Sequence, residues 1–97
     1  MSRSKNENNI VGIAIYRQED WDRLLKISDD RDYLEDTWLE WNESVQRFED
    51  TLRQKGIEYK EIIIDLDELI EYCKKRGFRI NGESRSQFTA EKLRKLQ

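Results

Sequence analysis

Six apolar side chains, Leu34, Trp38, Trp41, Val45, Phe48 and Leu52, recur at spacings of four, three, four, three and four residues. Alternating steps of four and three hold a line of side chains on one face of an α-helix. The stripe predicts a helix over about residues 31–55, ended by Gly56 where a glycine releases the last turn. It is too short for a long coiled coil. A face this rich in aromatic rings must therefore be covered by something else.

Two apolar runs are the candidates for that cover. Ile10 to Tyr16 is apolar on both pleat faces, the pattern of a strand buried on both sides. Ile57 to Ile64 alternates at first and then turns wholly apolar, which predicts a second strand entering the core from an exposed rim. Between the first strand and the long helix, Trp21, Leu24, Leu25 and Ser28 fall at helical spacing, giving a helix over about 18–28. Ser28-Asp29-Asp30-Arg31-Asp32 reads as a turn that also caps the long helix.

After the second strand, Asp65-Leu66-Asp67-Glu68 opens a helix with Leu66, Leu69, Ile70 and Cys73 inward, and Lys74-Lys75-Arg76-Gly77 closes it. Cations in a last turn suit the helix dipole, and glycine suits a left-handed end. Phe78-Arg79-Ile80 is a candidate third, short strand before an Asn81-Gly82 turn. Ser84-Arg85-Ser86-Gln87 resembles a capping box for a last helix carrying Phe88, Leu93 and Leu96. Residues 1–9 are polar and read as a disordered lead-in to a single domain over 10–97.

The order is β-α-α-β-α-(β)-α, a small α/β (or α+β) domain with helices packed on the sheet. Forty residues separate the two strands, enough for a helical crossover, so the strands are expected to be parallel with a right-handed connection. Two strands alone make a poor sheet. Either 78–80 adds a third, or a second copy of the chain completes the sheet or covers the aromatic helix. Dimerisation is the expectation.

Composition removes several chemistries. With no histidine, Ser-His-Asp and Cys-His catalysis and imidazole metal sites are excluded. The lone Cys73 rules out an internal disulfide and a multi-cysteine zinc site, and reads as a buried structural thiol. No window approaches the ~18 apolar residues of a membrane span. The N-terminus lacks the apolar core of a signal peptide. A reducing, cytoplasmic location and no membrane are therefore expected.

The sharpest chemical motif is Ile62-Ile63-Ile64-Asp65-Leu66-Asp67, an apolar strand ending in Asp-x-Asp, the form in which haloacid-dehalogenase-type phosphatases present two acids to Mg²⁺. The chain is too short for that core. Asp65 and Glu68 also stand at capping spacing, so capping is the reading taken, with Asp65 and Asp67 as a weak metal alternative. Asp29, Asp30, Asp32, Glu35 and Asp36 form the densest acidic cluster, but lack the sixth-position glycine of an EF-hand loop. They are expected in the first turns of the long helix.

Charge is divided along the chain: residues 1–50 hold 7 basic and 13 acidic side chains, and residues 74–97 hold 8 basic and 2 acidic. The basic segment, with Lys74, Lys75, Arg76, Arg79 and Arg85, is a candidate phosphate grip for a nucleic acid. No recognised nucleic-acid motif accompanies it, so packing against the acidic half of this or a neighbouring chain is preferred.

Val11-Gly12-Ile13-Ala14-x-Tyr16-Arg17-x-Glu19-Asp20-Trp21, Leu34-Glu35-Asp36-Thr37-Trp38-x-Glu40-Trp41 and Ile64-Asp65-x-Asp67-Glu68-Leu69-x-x-Tyr72-Cys73 together resemble small bacterial βα proteins with no known activity. The resemblance spans about residues 10–90 and implies a bacterial cytosolic βα protein, with nothing about catalysis. The function expected is a non-enzymatic protein–protein interaction module, a homodimer or a subunit with a protein partner, requiring no cofactor. Trp38, Trp41, Val45 and Phe48 are expected to carry the contact, because large aromatic side chains anchor interfaces.

Overall fold

The two apolar runs form the strands. A computed structural model describes residues 10–96; the lead-in 1–9 and residue 97 lie outside the described residues. Strand β1 (Val11–Ile15) pairs in parallel with β2 (Tyr59–Ile63), Val11 opposite Tyr59 and Ile15 opposite Ile63. Helices α1 (Trp21–Ile27) and α2 (Trp38–Gln54) connect them, and α3 (Leu66–Arg76) and α4 (Gly82–Leu96) come after β2. The domain is α/β, with a two-stranded sheet.

The ends of α3 form as the sequence demands. Asp65 is extended and its Oδ1 accepts from the Glu68 amide at 3.1 Å. Lys74, Lys75 and Arg76 occupy the last turn, and Gly77 takes φ +69, which a side chain would disfavour.

Three expectations are corrected. First, α2 begins at Trp38, not near residue 31. Arg31–Tyr33 makes a single 3₁₀ turn, Leu34 is extended, and the Thr37 hydroxyl accepts from the Glu40 amide at 3.1 Å. Asp29 to Asp36 therefore precede the helix instead of filling its first turns. Second, residues 78–80 are not a strand. The Ile80 carbonyl accepts from the Asp29 amide at 2.7 Å, tying this segment to the loop after α1 and away from the sheet. Third, the cap of α4 sits three residues early. Asn81 Oδ1 accepts from the Ser84 amide at 3.0 Å while Ser84 Oγ accepts from the Asn81 amide at 3.1 Å, a reciprocal box centred on Asn81.

Side chains alternate across a strand, so Gly12, Ala14 and Tyr16 share one sheet face and Val11, Ile13 and Ile15 the other. The first face meets α4. A Cβ on Gly12 would lie 3.3 Å from Leu93 Cδ2 and 3.5 Å from Thr89 Cγ2, so a side chain there would press on Leu93 where the helix comes close. The main core gathers Tyr16, Trp21, Leu24, Trp41, Ile62, Ile64, Leu66, Leu69, Tyr72, Cys73, Phe88 and Leu93. Ile13 and Leu52 are also buried but stand outside that cluster, on the opposite side of the sheet. β2 is an edge strand with Lys60, Glu61 and Ile63 open to solvent, so its apolar second half does not run wholly into the core.

No helix among the described residues is long and apolar enough to cross a membrane.

Candidate functional site

Four candidate contact residues lie on α2, and the fold separates them. Trp41 turns into the core, where its ring centroid lies 5.4 Å from Trp21 and 5.5 Å from Tyr16. Trp38 is half-buried and donates from Nε1 to the Tyr16 carbonyl oxygen at 2.7 Å, closing the end of β1. Val45 packs half-buried against the core. Only Phe48 is at the surface, 48% exposed. The helix is rolled so that Glu49, not Phe48, takes the inward place between Val45 and Leu52.

Glu49 is the residue that sequence reasoning missed. Its side chain is 8% exposed, and its Oε2, with Trp21 Nε1, is one of two buried side-chain polar atoms left without a partner among the described residues. Burial, then the facing Glu61 carboxyl on β2, push its carboxyl from 4.5 up to about 7, against the opposing pull of Arg53. Stability should respond to pH accordingly. Below about pH 4.5 the folded and unfolded chains both hold this proton, and Glu49 is tolerated. Between about 4.5 and about 7 the unfolded chain releases its proton first, so stability falls as pH rises through that window. Glu49→Gln keeps the shape without the charge. It is expected to flatten this decline and raise Tm at pH ~8 by on the order of 10 °C, with little change at pH ~4. Thermal melts across the window check this; a mutant profile parallel to wild type would contradict it.

Most of the proposed metal and phosphate groups are engaged within the chain. Asp65 caps α3, and Asp67 accepts from Arg23 at 2.5 Å. Among the described residues, no three His, Cys, Asp or Glu side chains stand together to hold a metal ion. Of the five candidate cations, Arg79 pairs with Asp29 at 3.0 Å. Arg76 lies 4.1 Å over the Tyr72 ring and 3.6 Å from Glu91. Arg85 is buried against Asp30, while Lys74 and Lys75 are exposed. Two of the five cations, Arg79 and Arg85, thus pair with acids of the chain's first half. Cys73 is buried, with Sγ 3.9 Å from the Arg79 carbonyl oxygen.

The Arg85–Asp30 pair is the most connected polar feature. Arg85 donates from Nη1 and Nη2 to the two Asp30 oxygens at 3.0 and 2.8 Å, and from Nη1 to Ser28 Oγ at 3.2 Å. Asp30 also accepts from the Gly82 amide at 3.0 Å, so it supplies the negative charge that the start of α4 favours. The Arg85 bonds hold the Asp30 carboxyl below its ordinary range. Beside the pair, burial pushes the Tyr16 hydroxyl up to about 12, so it stays neutral.

Tyr16, Gly82 and Arg85 help line a groove of about 350 Å³ between β1 and α4. Gly12, Ala14 and Tyr16 form one wall, and Ser86, Thr89, Ala90 and Leu93 the other. Among the described residues nothing pairs with the outer edge of β1, so the groove opens along an unpaired strand edge. A groove bounded by a strand edge and a helix can receive an extended segment, whose main chain extends the sheet. On the sequence alone a third strand at 78–80 or a second copy of the chain stood to complete the sheet; the lining of the edge by α4 was not legible there.

Comparison with protein-family models, with curated proteins and with solved structures returns no match for this chain.

Proposed function

We propose that the chain is a non-enzymatic protein–protein interaction module that self-associates, acting in the bacterial cytosol. The observation that carries this reading is the open edge of β1. Residues 10–16 contain no charge, yet unpaired edges of folded proteins are usually guarded by charges, proline or a cover. An uncharged edge beside a groove is what a bound strand would protect. Phe48, half-exposed on α2, offers a second apolar contact point, whereas Trp38, Trp41 and Val45 serve chiefly to hold α2 in place.

The competing use of the basic segment for nucleic acid has less support, because Arg76, Arg79 and Arg85 each face an acid of the same chain. A phosphoryl-handling site at Asp65 and Asp67 is likewise disfavoured by the cap and the Arg23 pair.

Size-exclusion chromatography with light scattering tests the reading directly. The expected molar mass is twice 11.8 kDa at micromolar concentration. A mass of 11.8 kDa at every concentration reached would overturn self-association.

A further inference from the structure

We infer that two copies join along β1, antiparallel, about a two-fold axis at Ile13, giving one continuous sheet of four strands with the two β1 strands at its centre. The inference rests on the self-associating reading above and supplies its surface and register.

The main chain comes first. The Val11 amide donates to Glu58 and the Ile15 carbonyl accepts from Ile64, so residues 11, 13 and 15 direct their main-chain groups toward β2. In a parallel ladder the alternate residues point the other way. Gly12 and Ala14 therefore present N–H and C=O to the open edge, symmetrically on either side of Ile13. An antiparallel partner centred there sets Gly12 opposite the partner's Ala14 and Ala14 opposite the partner's Gly12. Each pair exchanges two hydrogen bonds, four in all. At the far end the Tyr16 carbonyl is already taken by Trp38 Nε1, which bounds the new ladder.

Side chains and charges agree with that register. Gly12 and Ala14 are small, and nothing charged lies between residues 10 and 16, so no like charges meet across the axis. The edge of β2 differs: Lys60 and Glu61 are exposed there and guard it. The same axis lays α4 antiparallel beside the α4 of the other copy. Ser86 and Ala90, exposed along the groove, are small enough for close approach. Glu83 in the first turn of α4 then lies toward the partner's Arg94 and the partner's Lys95 in the last turn, a complementary pairing of charge.

The test uses the full chain, its Ala14→Pro and Ala90→Lys variants, light scattering over a concentration series, and amide hydrogen exchange at Gly12 and Ala14. Proline at 14 removes the outward N–H and leaves the ladder to β2 intact. Lysine at 90 is placed at an exposed helical position near the axis, where two like charges would meet. The wild type is expected to dimerise with Gly12 and Ala14 amides protected, and the protection to fade on dilution. Both folded variants are expected to raise the dimer Kd at least about tenfold, since two hydrogen bonds or a charge clash are at stake. If Ala14→Pro loses its helical circular dichroism, Ala90→Lys and the amide exchange decide. A dimer that persists undiminished in the folded variants overturns this pairing while leaving self-association standing. A wild-type monomer at all concentrations overturns both. Protection independent of concentration in a monomer overturns the pairing too.

Discussion

Trp41→Ala is expected to lower the stability of the chain by about 3–5 kcal/mol, the range for deleting a large aromatic side chain from a core. Trp41 stands at the centre of the ring cluster: Tyr16, Trp21 and Trp38 all lie within 6.2 Å of its centroid. Alanine leaves a hole lined by the rings of Tyr16, Trp21 and Trp38. A domain of this size is stable by only about 5–15 kcal/mol, so the variant should be largely unfolded on mild warming. Phe48→Ala provides the contrast. Half-exposed, it should change stability by less than about 1 kcal/mol. Urea denaturation of the two variants measures the difference, and a larger loss at Phe48 than at Trp41 would show that the inward face of α2 has been misassigned.

Arg85→Ala is expected to lose about 3 kcal/mol, because removing one partner leaves the other charge in place without its counterpart. Asp30 would keep only the Gly82 amide, and its side chain is 20% exposed, which sets the loss toward the lower end of the range for buried pairs. The effect should be selective for the double change: Arg85→Met with Asp30→Asn is expected to recover part of the loss, because both charges go together. A double-mutant cycle followed by denaturation gives the coupling. Additive single effects would mean that the pair ties nothing together. The pH dependence has the opposite sign to that of Glu49. The Asp30 carboxyl is held below its ordinary 3.8, so its contribution is present above that value and is lost as the pH falls through the acid range.

Much of the local structure is legible in the chain because its causes are local. Asp65, Glu68 and Gly77 mark the ends of α3 through hydrogen bonds and a backbone angle that involve only neighbouring residues. The two strands are visible as apolar runs, and the length between them is enough for the parallel pairing that forms. The stripe on α2 is legible as a stripe, but its roll is not. At about 100° per residue, Phe48 and Glu49 fall on either side of the line through Trp41, Val45 and Leu52. Both positions fit a helix lying on a sheet. Hydrophobicity favours Phe48 inward, yet the docking of the Trp38 and Trp41 rings against Tyr16 tips the helix the other way and carries Glu49 under, toward Glu61.

The acidic loop makes the same point over longer distances. Asp29 and Asp30 meet Arg79 and Arg85 across 50 and 55 residues of chain. The uneven charge along the sequence announced that two halves would attract, but not which acid would meet which arginine. The two apolar strands, the stripe on α2 and the ends of α3 depend on side-chain period and capping within a few residues, and these the amino-acid order determined; the start of α2 at Trp38 and the loop at 78–80 it did not. The inward turn of Glu49, the Asp30–Arg85 pair and the β1–α4 groove were decided only when the helices packed, because each depends on how one rigid element is rolled and placed against another.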